Sequence, residues 1–180
     1  MNEKLTVLID HDTVVHRIAE LAKQISADYR TCCTAQNPLL VLCTLRGAVF
    51  FASDLIRQLD IPCELDFVKI HSYRGTRPAE IPVFDLGENL SVEGRHVLIV
   101  EDIVDTGHTI ETMLKQFGRQ QAESVRVCTL LDKPSRREAA EVIPDYVCFE
   151  IEDLFVVGWG LDYNEQYRLL PDVMVYHPEV

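Results

Sequence analysis

Residues 97–109, VLIVEDIVDTGHT, run from an apolar stretch into the carboxylates Glu101, Asp102 and Asp105 and then into a Thr-Gly-His-Thr turn. A β-branched run with no polar alternation marks a strand covered on both faces. Past the turn, Ile110, Met113, Leu114 and Phe117 return at helical spacing, which predicts a helix over 108–119. A strand buried on both sides and followed at once by an amphipathic helix constrains the chain to a sheet layered between helices. It also places Asp105 to Thr109 at a helix N-terminus. There the free backbone N–H groups and the helix dipole suit a phosphate, and Gly107 lets the main chain approach it closely. Glu101 and Asp102 would be repelled by a phosphate in direct contact, so their expected partners are hydroxyl donors or a metal a few ångströms away. A ribose phosphate carries both groups. The competing reading, an ordinary strand-to-helix turn with solvated acids, does not explain so dense a polar pattern directly after a buried strand.

The same alternation recurs along the chain. Residues 4–9 read as a short strand, and His11 to Tyr29 as a helix with Val14, Val15, Ile18, Leu21, Ala22 and Ile25 on one face and Asp12 as its N-cap. Strands follow at Leu39 to Leu45, Cys63 to Ile70, 96–101 and Ser124 to Leu131, with a helix at Ala48 to Leu59 and a long polar connection over 71–95. The expected fold class is α/β, a twisted, mainly parallel sheet flanked by helices, with ligand outside the carboxyl ends of the strands. Beyond Pro134 the pattern loosens into short strands at Tyr146 to Glu150, Leu154 to Val157 and Val173 to Tyr176. These are expected to form a small hood subdomain from the termini, roughly 1–10 and 146–180, on a single domain spanning 1–180.

With 17 basic and 29 acidic side chains, a net charge of −12 excludes a broad nucleic-acid or anionic-membrane surface. The N-terminus is charged from residue 3 and lacks a signal-peptide apolar region, so a cytoplasmic protein is expected. The 6 cysteines show no C-x-x-C spacing and read as reduced packing residues. An acidic chain that binds a phosphorylated substrate needs local compensation from amides, a few basic side chains and Mg²⁺.

The acid pair, the next Asp and the Thr-Gly-x-Thr together resemble the phosphoribosyl-diphosphate-binding motif of the type I purine phosphoribosyltransferases, the match being closest to the hypoxanthine-guanine enzymes. The resemblance implies the type I phosphoribosyltransferase fold. It further implies that the amides and hydroxyls of Thr106, Gly107, His108 and Thr109 hold the 5′-phosphate, that Glu101 and Asp102 face the ribose hydroxyls, and that Asp105 lies near purine N7 as general base. A second block, DLFVVGWGLDYNEQYR over 153–168, matches the family's base-binding segment. Phe155 is thereby expected to stack on the purine, the Val156 backbone to read its pyrimidine edge, Asp162 to support a metal bound to pyrophosphate, and Arg168 to contact the pyrophosphate. Taken alone, an aromatic in an apolar strand is usually core. The metal set implied is Glu101, Asp102 and Asp162, with Mg²⁺ as cofactor.

Weaker segments gain meaning beside these two. Leu45-Arg46-Gly47, between a strand and a helix, resembles the pyrophosphate loop, in which a cis peptide precedes the basic residue; many members have Lys-Gly-Gly where this chain has Arg-Gly-Ala. Ser72-Tyr73 matches the family's flexible loop, although the stretch by itself reads as a solvated connection. Lys133 ends a strand, where a solvated lysine is common; the resemblance implies that it donates to the purine 6-oxo group. An ammonium offers only donors, so a 6-oxo purine satisfies it and the 6-amino group of adenine does not.

The activity implied is transfer of a phosphoribosyl group from phosphoribosyl diphosphate to hypoxanthine or guanine, by a homodimer or homotetramer that acts on small molecules and on neither nucleic acid nor membrane. The rival reading is a regulator of the same fold that senses phosphoribosyl diphosphate without turnover. Such proteins usually show an added domain or a basic face.

Overall fold

The core starts from β2 (Leu39–Leu45), in which every residue but the last is buried. Its pleat sends Leu39, Val41 and Cys43 into one hydrophobic cluster and Leu40 and Leu42 into a second on the other side of the sheet. Each fully buried Leu, Ile or Phe contributes roughly 1.5–3 kcal/mol, so a central strand with two apolar faces fixes the layering. The computed structural model describes residues 5–71, 83–85 and 90–177.

Around β2 the chain runs β1 (Leu5–Ile9), α1 (His11–Tyr29), α2 (Val49–Ile56), β3 (Cys63–His71), β4 (Val83–Asp85), β5 (His96–Val104), α3 (His108–Arg119) and β6 (Ser124–Asp132). A 3₁₀ turn at Pro134–Arg136 then leads to β7 (Tyr146–Glu150), β8 (Val156–Val157) and β9 (Val173–Tyr176). The main sheet has the order β4-β3-β2-β5-β6-β7. Strands β3, β2, β5, β6 and β7 are parallel, and β4 is added antiparallel at the β3 edge. Helices α1 and α2 cover one face through Val14, Ile18, Leu21, Ile25, Phe51 and Leu55. Helix α3 covers the other through Ile110, Met113 and Phe117. A separate antiparallel sheet, β1-β9-β8, forms the hood.

Several expectations shift. Tyr146–Glu150 belongs to the main sheet, pairing in parallel with β6, so the hood is built from β1, β8 and β9. Strand β5 does not stop at Glu101: the ladder continues through Ile103↔Leu131 and Val104↔Asp132, which leaves both Glu101 and Asp102 on the strand. Helix α1 is capped by Asp10, whose Oδ1 accepts from the Thr13 N–H at 3.0 Å, while Asp12 sits inside the first turn. Val15 lies off the apolar stripe and is 40% exposed. Helix α2 is shorter than the apolar pattern suggested, ending at Ile56. All the cysteines are free thiols. Among the described residues, no helix is long and apolar enough to cross a membrane.

Candidate active site

Strand β5 is central in the sheet and ends at its carboxyl edge, where the Glu101-to-Thr109 segment turns into α3. A cleft of about 250 Å³ opens there, lined by Glu101, Asp102, Asp105, Thr106, Gly107 and Thr109 together with Ile103, Val104 and Ile110. Gly107 adopts φ 88°, a left-handed conformation that suits glycine. It is the N-cap of α3 and makes no side-chain cap hydrogen bond, so no side chain at this position occupies the first helical amides. Of the expected phosphate-loop residues, His108 is the one whose side chain turns elsewhere, to Glu138 Oε2 at 2.9 Å.

The acid pair is desolvated, with Glu101 buried and Asp102 half-buried beside it. Glu101, 9% exposed, accepts from the Thr44 hydroxyl at 2.9 Å on the next strand, while its Oε2 is buried with no hydrogen-bond partner. Asp102 sits beside the loop that follows β2: a Cβ on Gly47 would overlap its carboxylate. Burial, reinforced by the Asp102 charge, pushes the Glu101 carboxyl well above the ordinary range. Burial raises Asp102 as well. An orphaned carboxylate oxygen next to a second carboxylate fits Mg²⁺, which commonly takes one or two protein carboxylates and completes its shell with substrate and water oxygens. No three His, Cys, Asp or Glu side chains converge on one point among the described residues. Glu101, Asp102 and Asp162 therefore do not form a single cage.

The loop after β2 carries a cis peptide between Leu45 and Arg46. It meets the hairpin after β8 closely enough that a Cβ on Gly160 would overlap the Gly47 carbonyl. That hairpin holds several residues in the left-handed region, among them Gly158, Trp159, Gly160, Asn164, Glu165 and Tyr167. The turning brings Arg168 back onto Asp162 at 2.8 Å and onto the Gly160 carbonyl at 2.7 Å. Arg46 and Arg168 both reach Glu165 Oε2 at 3.2 Å, so the two cations expected at pyrophosphate lie side by side. Nothing in the sequence marked Glu165 as their common partner.

Lys133 is almost buried, and its backbone N–H donates to the Val104 carbonyl, which anchors it beside the phosphate loop. Its ammonium lies 3.7 Å from Asp153 Oδ1. The segment that follows clamps the loop: Glu138 and Ala139 amides donate to the Thr106 carbonyl, and Arg137 donates to the Asp105 carbonyl while paired with Asp132. Arg136 Nε donates to Asp105 Oδ1 at 3.1 Å. Phe155 is 50% exposed and meets Tyr163 and Tyr176 edge-on, forming an open aromatic wall, while Val156 is buried. Ser72 and Tyr73 lie outside the described residues. Sequence reasoning missed Thr44, Arg136, Arg137 and Asp153, which act on the site through other side chains and leave no periodic signal.

A parallel sheet whose central strand delivers an acid pair into a glycine-opened helix start, near one arginine on the loop after β2 and a second on the hairpin after β8, defines the phosphoribosyltransferase class. The profile of the phosphoribosyl transferase domain matches residues 6–166. A hypoxanthine-guanine phosphoribosyltransferase of Streptococcus pneumoniae is 40% identical, the alignment covering 99% of this chain and 97% of that protein. A hypoxanthine-guanine-xanthine phosphoribosyltransferase of Tritrichomonas foetus is 36% identical over 100% of this chain and 96% of its own. A solved Trypanosoma cruzi hypoxanthine phosphoribosyltransferase variant, in a ternary complex with substrates, superposes with a TM-score of 0.90 at 37% identity, covering 99% of this chain and 97% of that one. The chain belongs to the hypoxanthine-guanine phosphoribosyltransferase family of the type I phosphoribosyltransferases.

Proposed function

We propose that the cleft at the end of β5 binds 5-phosphoribosyl 1-diphosphate and transfers its phosphoribosyl group to hypoxanthine or guanine, giving IMP or GMP and pyrophosphate. The observation that carries this is the Glu101–Asp102 pair, buried at Glu101, running into the uncapped start of α3 at left-handed Gly107. Full-length similarity to enzymes of this activity favours turnover over the sensing alternative.

In this reading the amides and hydroxyls from Thr106 to Thr109 hold the 5′-phosphate, and Glu101 and Asp102 face the ribose hydroxyls. Arg46 and Arg168 exchange their shared Glu165 for pyrophosphate oxygens, assisted by Leu45 and Gly47 backbone at the loop. Glu101 and Asp102 would hold Mg²⁺, which would supply charge neutralisation for the pyrophosphate, while Asp162, paired with Arg168, would act at the pyrophosphate rather than as a third ligand of the same ion. The bond from the anomeric carbon to pyrophosphate breaks with its electron pair on the leaving oxygen, and purine N9 bonds to that carbon. The proton carried on N7 passes to Asp105. Lys133 donates to the 6-oxo group, Phe155 stacks on the base, and the Val156 backbone reads its pyrimidine edge. The described sheet and hood act together as one domain, in a cytoplasmic homodimer or homotetramer.

The test is Mg²⁺-dependent turnover with phosphoribosyl diphosphate and each of hypoxanthine, guanine, xanthine and adenine. Nucleotide formation with hypoxanthine and guanine is expected. Activity on adenine alone would overturn the assignment of Lys133.

A further inference from the structure

Lys133 and Asp105, the side chains assigned to the 6-oxo group and to N7, are joined by side chains that make no proposed contact with substrate. The Lys133 ammonium lies 3.7 Å from Asp153 Oδ1, and Asp153 Oδ2 lies 3.7 Å from Arg136. Arg136 in turn donates to Asp105 Oδ1 at 3.1 Å. Charges alternate along the whole chain Lys133–Asp153–Arg136–Asp105. The local backbone explains the register. Arg136 N–H donates to the Lys133 carbonyl at 3.0 Å across the 3₁₀ turn, so the two cations stand one turn apart and meet the same carboxylate. Bonds to the main chain fix both ends separately: Lys133 N–H donates to the Val104 carbonyl, and the Asp105 carbonyl accepts from the Arg137 guanidinium. What the alternating chain can set is therefore side-chain direction, with the main chain already placed.

Removing Asp153 would leave two cations facing each other, and removing Arg136 would leave two carboxylates without their shared cation. Either loss turns the end groups away from positions that a purine needs filled together, since its 6-substituent and N7 are neighbouring atoms. We propose that Asp153 and Arg136 are positioning residues that couple recognition of the 6-oxo group by Lys133 to proton acceptance by Asp105. Lys133 has little exposed surface, so Asp153 is the group that aims its ammonium. Arg136 holds the Asp105 carboxylate in the direction from which the N7 proton arrives. The inference rests on the assignment of Lys133 and Asp105 to the base.

The test is steady-state kinetics of Asp153→Asn, Arg136→Met, Arg136→Lys, the Asp153→Asn/Arg136→Met double variant and Lys133→Met, with adenine as a competing inhibitor. Asp153→Asn and Arg136→Met are each expected to lower kcat/KM for hypoxanthine about tenfold, with the KM for phosphoribosyl diphosphate changed less than about twofold. In Asp153→Asn, hypoxanthine binding weakens while adenine inhibition does not, so discrimination narrows. The double variant is no worse than the poorer single, because both break one chain. Arg136→Lys, which keeps the charge, recovers most of the loss. If Lys133→Met weakens hypoxanthine while Asp153→Asn and Arg136→Met do not, the coupling is overturned and the base assignment stands. If Lys133→Met leaves hypoxanthine unaffected, the base assignment itself fails, and the coupling with it.

Discussion

Two sets of carboxylates within five residues of one strand end live in opposite surroundings. Glu101 and Asp102 are held in the sheet, desolvated, one against the Thr44 hydroxyl and the other against Gly47. Asp105 lies past the end of the ladder, partly exposed and paired with Arg136. Desolvation, opposed at Asp102 by hydrogen bonds and by the Arg168 charge but not overcome, makes the pair costly to ionise in the free protein, which suits groups that meet a metal or hydroxyl donors on binding. A carboxylate that must take a proton during the reaction is better placed in reach of substrate, with a cation that fixes its direction without enclosing it. On the proposed reading, position along the strand separates binding acids from a reacting acid.

The largest expected effect breaks the comparison on the exposed side. Asp105→Asn removes the proton acceptor while keeping the shape, and kcat should fall by about 10²–10⁴. The KM for phosphoribosyl diphosphate should stay within about threefold. A variant with unchanged kcat would remove Asp105 from the chemistry. Gly47→Ala attacks the buried side. Its Cβ would overlap the Asp102 carboxylate, so that group or the loop carrying Arg46 must move. Here the KM for phosphoribosyl diphosphate should rise about tenfold or more, together with a lower kcat. A loss confined to kcat would mean that Asp102 and Gly47 do not cooperate in binding.

Much of this contrast was legible because it sits where periodicity changes. Helix α1 and strand β2 have the bounds that their apolar patterns predict, and Gly107 stands at the start of α3. What was hidden depends on the ladder and on surface charge. The acidic pattern ends the readable strand at Glu101 and leaves Asp102 in the loop, yet pairing of Ile103 and Val104 with β6 carries the strand past both. The loosened pattern beyond Pro134 groups Tyr146 to Glu150 with the hood, and the link from β6, which contains only a 3₁₀ turn, lacks the crossover helix that normally announces a parallel neighbour. Arg136, Asp153 and Glu165 sit among the ordinary charged residues of turns, and only three-dimensional proximity distinguishes them.

A smaller effect sharpens the buried side through pH. Burial raises the Glu101 carboxyl above its unfolded value. Above the ordinary carboxylate range the folded state therefore binds more protons than the unfolded state, and stability falls as pH rises toward the folded value. Glu101→Gln is neutral throughout and escapes this loss. In the absence of Mg²⁺ and substrate, its Tm should exceed that of the parent protein by a margin that grows from about pH 5 to pH 8, while its affinity for phosphoribosyl diphosphate falls. A constant margin would mean that Glu101 does not titrate with the expected shift.

The smallest expected effect isolates what supports that carboxyl. The Thr44 hydroxyl lies within hydrogen-bond distance of both Glu101 Oε1 and the Val100 carbonyl. Its hydrogen bond to Glu101 favours the ionised form, opposing the much larger effect of burial. Thr44→Val keeps the β-branched shape and removes the donor, at a stability cost of about 1 kcal/mol. With the donor gone, Glu101 should ionise at higher pH still. The pH-dependent part of the Tm margin between Thr44→Val and a Thr44→Val/Glu101→Gln double variant should then extend further toward alkaline pH than it does on the parent background. If the two margins track each other, the hydroxyl is a packing group, and desolvation alone sets the behaviour of the buried acid.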